Sequence, residues 1–163
     1  MTIEAYLEVD HRKLEALLEK ADADEAIDIE AYDAFRQGLL RHIGIEEKLL
    51  IPQAQKLGGK TVERAAQLRL DHGAIAALLV LTPTHKVIHA LKTILKPHNE
   101  LEEGPEGVYA ECETLLSNQS LELMKEIAKY PPVPVATRIQ SETLKNAAKR
   151  CIERAGFSPA LLD

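Results

Sequence analysis

Tryptophan is absent from this chain, and aromatic residues make up only 4% of its 163 positions. The 45% apolar content is therefore mostly Leu, Ala, Ile and Val, a composition that suits helices better than a β-sandwich. Cysteine is nearly as scarce. Cys112 and Cys151 are the only two and have no CxxC spacing, which argues against a disulfide framework and a Cys-based zinc site. A reducing, cytoplasmic compartment is the expectation. The 20 basic residues form no cluster and are outnumbered by 26 acidic ones, for a net charge of −6. Nucleic acid and membrane surfaces are poor partners for such a chain. The longest apolar run, Gly73 to Leu81, is too short to span a bilayer. The first residues carry Glu4, Glu8 and Asp10, not the basic-then-apolar pattern of a signal peptide.

What the chain does have is helical periodicity. Leu7, Leu14, Leu17, Leu18 and Ala21 form one apolar stripe, predicting a helix over 8–22 with an irregular or helical lead-in. A second helix is expected over 29–56, bent near Pro52 and stopped by Gly58 and Gly59. A third is expected over 61–81, with Thr61 as its N-cap, and a fourth over 85–103, ended by Gly104 and Pro105. Short connections predict an all-α, antiparallel up-and-down four-helix bundle over residues 1–105. Residues 106–163 are expected to add C-terminal helices over 106–130 and 137–155, separated by a stiff linker at Pro131, Pro132 and Pro134. The apolar stripes of this tail need a surface, either the bundle itself or the partner in a homodimer.

The chemistry lies in an internal repeat. Asp10-His11 is followed by His42-x-x-x-Glu46-Glu47, and Asp71-His72 by His98-x-x-x-Glu102-Glu103. Each half reads as one helical hairpin. Residues four apart lie within about 40° on a helix face, so each HxxxE pair converges on one spot. Glu47 and Glu103 are turned about 140° from their His and are expected to face solvent. Asp10 and Asp71 are expected to cap helices or to hydrogen-bond outside the ligands. His11, His42, Glu46, His72, His98 and Glu102 then converge inside the bundle. Four imidazoles and two carboxylates suit iron, manganese or zinc. Carboxylates in a bundle interior are costly unless paired or metal-bound. If both Glu bridge two cations, the protein fills about eight of about twelve octahedral positions.

This H…HxxxE…H…HxxxE order resembles the hemerythrin-like HHE cation-binding domain over residues 3–105. The resemblance implies a non-haem di-iron centre, oxo- or hydroxo-bridged, with His11, His42, His72 and His98 as imidazole ligands and Glu46 and Glu102 as carboxylate ligands. Dioxygen-carrying members have a further His four residues after the third-helix His, where this chain has Ala76. Reversible dioxygen transport is thus less expected than binding or sensing of dioxygen, nitric oxide or iron. An oxidase or peroxidase built on the same centre, or a helical interaction module with a vestigial site, are the alternatives.

Other His and acidic residues weigh less. His85 and His89 form an HxxxH pair, of the type that binds zinc, but lie half a revolution from His98 and are expected on a solvated face. Glu8-x-x-His11 resembles half of a ferritin-type pair without a second copy. Pro97, directly before His98, predicts a kink or bulge one turn ahead of the ligands.

Overall fold

The computed structural model describes all 163 residues, and its regular structure is helical throughout. Helix α1 spans Ile3–Ala21 and α2 spans Ile29–Ile45. A π-helical turn over Glu46–Leu50 leads without a break into α3, Ile51–Gly58. Helices α4 (Ala65–Val80) and α5 (His85–Glu102) complete the bundle. The tail carries α6 (Val108–Leu116), α7 (Ser120–Ala128) and α8 (Glu142–Arg154).

Caps explain most of the boundaries. The Thr2 side chain accepts the Ala5 N–H at 3.1 Å, so the lead-in before residue 8 is helical and α1 starts at Ile3. Asp28 and Thr84 cap α2 and α5 in the same way. The expected cap at Thr61 does not form. The chain turns there and α4 begins only at Ala65. Pro52 sits just after the π turn. It has no N–H to give and its ring crowds the carbonyl a turn earlier, and a widened turn relieves such a clash. Helix α5 stays α-helical across Pro97, so of the expected kink or bulge no bulge forms there. The wide turn lies instead in the other hairpin.

The expected helix over 106–130 is split. Its break is Ser117, at φ 51°, a conformation costly for a residue with a Cβ. The last helix starts at Glu142, capped by Ser141, not at 137. Ile139 lies outside it, in a single backbone bridge to Leu81. The tail folds back onto its own bundle. Helix α8 packs on α4, and α6 on α3 and α1. Buried Arg36 of α2 donates to the carbonyls of Leu79 and Ala136 at 2.8 and 2.7 Å. Arg41 holds the end of α7 through the Tyr130 and Ile127 carbonyls.

The apolar core falls into two clusters. One contains Leu14, Leu18, Phe35, Leu39, Ile75, Leu78, Leu91 and Ile94. The other contains Ile3, Leu7, Ile45, Leu50, Leu68, Val108 and Cys112. The break between them is a layer of buried polar side chains: on α1 between Leu7 and Leu14, on α2 between Leu39 and Ile45, on α4 between Leu68 and Ile75.

Candidate metal centre

That polar layer holds His11, His42, Glu46, His72, His98 and Glu102, all buried. They form two groups of potential ligand atoms, His11–His42–Glu46–Glu102 and Glu46–His72–His98–Glu102, each with its atoms within 4.8 Å of one another. The two carboxylates belong to both groups, and they divide their oxygens between them. Glu46 Oε1 lies 3.1 Å from His42 Nε2, and Glu46 Oε2 lies 3.2 Å from His72 Nε2. Glu102 Oε2 lies 3.3 Å from His11 Nε2, and Glu102 Oε1 lies 3.2 Å from His98 Nε2.

These spacings fit a cation. With metal–ligand bonds of about 2.1 Å, neighbouring corners of an octahedron lie about 3.0 Å apart. Glu46 Oε2 and Glu102 Oε1 are buried, and each has beside it only an imidazole Nε2 that is out of hydrogen-bonding alignment. Leaving such oxygens unpartnered is costly, and both face the His72–His98 pair.

Each imidazole is gripped from behind by a carboxylate. His42 Nδ1 donates to Asp10 at 2.8 Å, and His98 Nδ1 to Asp71 at 3.1 Å. His72 Nδ1 donates to Glu47 at 2.8 Å, and His11 Nδ1 to Glu103 at 2.6 Å. A carboxylate only accepts, so the ring proton sits on Nδ1 and a neutral ring turns its Nε2 lone pair inward. Of the two roles expected for Asp10 and Asp71, hydrogen bonding outside the ligands is the one adopted.

Glu47 and Glu103 correct the expectation of solvent-facing residues. The 140° rotation away from the ligand direction is sound, but it points them at a neighbouring helix instead of water. From there each reaches the back of an imidazole in the other half of the repeat. Glu103 also pairs with Arg12.

The electrostatics favour positive charge at this layer. Burial alone lowers the His42 pKa, but the Glu46 charge and the hydrogen bonds to Asp10 and Glu46 raise it to about 10. Burial is likewise outweighed at His72, raised to about 9 by Glu46 and Glu47, and at His98, raised to about 10 by Glu102 and Asp71. Burial raises the Glu46 pKa, yet His42 and His72 hold it well below the ordinary carboxylate value.

The residues outside the two groups are equally informative. His85 bonds Asp22 and the Glu25 carbonyl at the surface. His89 is exposed, and Glu8 joins neither group. Ala76 is exposed as well, and its methyl offers no ligand atom. The buried residues about one turn to either side of His72 are Leu68 and Ile75, which offer no ligand atom, while adjacent Asp71 is taken up by His98.

One residue in contact with the ligand atoms is not anticipated by the repeat. Tyr109 of α6 puts its hydroxyl 2.5 Å from Glu46 Oε1, 3.1 Å from Nε2 of both His11 and His42, and 3.2 Å from Glu102 Oε2. It lies beyond the repeat and has no counterpart in the first half, so the ligand pattern carried no sign of it. Burial, then the charges of Glu102 and Glu46, push its phenol pKa well above the usual value.

A cavity of about 430 Å³ opens beside the layer. Its lining includes His11, Asn99 and Glu103 together with apolar Leu14, Phe35 and Leu39 and charged Arg12, Glu15, Lys92 and Lys96. No helix is long and apolar enough to cross a membrane.

A family model described as the hemerythrin HHE cation binding domain matches residues 2–110. Comparison with curated proteins and with solved structures gave no match.

Proposed function

The chain belongs to the hemerythrin HHE cation-binding domain family, and on that premise we propose that it is a non-haem di-iron protein that binds or senses dioxygen, nitric oxide or iron. The observation that carries this reading is the division of the Glu46 and Glu102 oxygens between two His pairs, with one unpartnered oxygen from each carboxylate. His11 and His42 would hold one metal, and His72 and His98 the other. Glu46 and Glu102 would bridge them. Imidazole and carboxylate donors suit iron, and also manganese or zinc. Bound iron supplies redox chemistry and open positions for a small ligand.

The chain's own residues contribute orientation, charge and access. Asp10, Glu47, Asp71 and Glu103 hold the four rings so that Nε2 faces inward. The cavity gives a small molecule an approach to His11 between apolar residues and the charged Arg12, Glu15, Lys92 and Lys96. We take residues 1–105 as an antiparallel up-and-down bundle and residues 106–163 as an extension covering it. The packing of α8 on α4 and of α6 on α3 supports this cover over a homodimer. A reducing, cytoplasmic setting is supported by the free thiols of Cys112 and Cys151.

Metal analysis and an absorption spectrum of aerobically purified protein test the reading. Two irons per chain and a spectrum that changes reversibly with dioxygen or nitric oxide are expected. Catalytic loss of peroxide without stable ligand binding points instead to the enzyme. A folded, metal-free protein that gains no stability from added iron overturns the reading and leaves a helical interaction module.

A further inference from the structure

We propose that Tyr109 is a seventh protein ligand, its phenol oxygen coordinating the metal held by His11 and His42 and not the metal held by His72 and His98. The inference rests on the metal-binding reading above and adds an asymmetry to it.

Four ligand atoms of the first group surround the Tyr109 oxygen at 2.5 to 3.2 Å. These are His11 Nε2, His42 Nε2, Glu46 Oε1 and Glu102 Oε2, the complete set that this group offers. The edge of an octahedron of ligands is about 3.0 Å. An oxygen at that spacing from all four others would fit a fifth corner of the same polyhedron. A phenol serving only as a hydrogen-bond donor needs one acceptor, and Glu46 Oε1 alone provides it.

The second group has no such neighbour. Its carboxylate oxygens, Glu46 Oε2 and Glu102 Oε1, are the ones left without a partner. Its two imidazole Nε2 atoms instead face each other at 3.2 Å. The repeat supplies two matching ligand sets, and α6 breaks their equivalence.

The approach of α6 is fixed by the turn after α5. A Cβ at Gly107 would lie 2.3 Å from the Glu102 carbonyl oxygen and 2.5 Å from that of Glu103. Only glycine lets the chain double back this closely onto the end of the ligand-bearing helix. Tyr109 follows two residues later and is fully buried. The other tyrosines, Tyr6, Tyr32 and Tyr130, make no hydrogen bond to the ligand atoms, so a tyrosinate signal from the metals has a single source.

A tyrosinate bound to ferric iron gives a visible charge-transfer band. Excitation in that band enhances the ring vibrations in resonance Raman spectra. The test uses aerobically iron-loaded full-length protein, wild type and Tyr109→Phe, with iron content measured on both. Wild type is expected to show the enhanced ring vibrations, and they should shift when the protein is grown on ring-deuterated tyrosine. Tyr109→Phe is expected to retain iron and lose those vibrations completely. Iron-loaded wild type without them overturns the proposal, as does their survival in Tyr109→Phe. If the variant fails to fold, the deuterium shift in wild type still decides whether a tyrosine is a ligand. A wild-type protein that binds no iron overturns both this inference and the metal-binding reading. Iron without tyrosinate overturns this one alone.

Discussion

Removing Asp10 tests whether the carboxylates behind the imidazoles govern metal affinity. The Asp10 carboxylate accepts from His42 Nδ1 at 2.8 Å. It is partly buried, and His42 in turn holds its pKa down despite the burial that would raise it. Losing such an outer carboxylate typically weakens metal affinity about 10- to 100-fold, or about 1.4 to 2.7 kcal/mol. Asp10→Ala removes both the charge and the hydrogen bond and should show that full effect. Asp10→Asn keeps an acceptor oxygen but not the charge. Neutral hydrogen bonds are about half as strong as charge-assisted ones, so roughly 3- to 10-fold is expected. The loss should fall on one metal of the two, because His42 serves one group only. Competition against a chelator of known affinity, with cobalt(II) or zinc(II) as the probe, should therefore turn a near-single transition into two steps. Far-UV circular dichroism should be unchanged, since Asp10 is on the partly exposed flank of α1. Unaltered affinity in a fully helical Asp10→Ala protein refutes the argument, as does an equal effect from Asn and Ala.

Three further outcomes follow from the same geometry. His42→Ala should lower metal content, whereas His89→Ala, on the exposed side of α5, should leave it unchanged; equal loss in both contradicts the assignment of faces. In metal-free protein the raised pKa values of His42, His72 and His98 make protonation stabilising, in full below their ordinary value of 6.5 and lost as pH rises through about 9 to 10. The melting temperature of metal-free protein should thus fall across that range while metal-loaded protein, with neutral coordinated rings, falls less; a flat metal-free profile argues against it. Gly107→Ala should cost at least the roughly 1 to 3 kcal/mol of an overpacked site, because the added Cβ meets backbone carbonyls that cannot rotate away, and thermal unfolding should register it as a lower midpoint.

Legibility of this site followed a simple physical line. His42 and Glu46, like His98 and Glu102, share a helix face, and spacing along one helix fixes direction on that helix. All six residues that the pattern singles out meet in the buried layer. Spacing says nothing of what stands across the interface, so it does not place Glu47 and Glu103. Turned away from the ligand spot, they meet His72 and His11 on other helices. The π turn at Glu46–Leu50 gave only the indirect sign of Pro52. Tyr109 gave none, since one tyrosine in an apolar stretch reads as core.

The crossed carboxylates give the repeat a mechanical meaning. Asp10 serves His42 and Asp71 serves His98, both within one hairpin. Glu47 serves His72 and Glu103 serves His11, both between hairpins. Glu46 and Glu102 each offer one oxygen to their own hairpin's imidazoles and one to the other's. Neither hairpin can therefore complete a four-atom group alone. Any cation that enters this layer binds the docked pair of hairpins and not either one apart, so its binding free energy adds directly to the stability of their association. The layer separates two apolar clusters and costs the bundle continuous hydrophobic packing at its centre. A cation bound at that layer would offset the loss, because the acidic and imidazole groups that weaken an apolar core lie where both hairpins reach them.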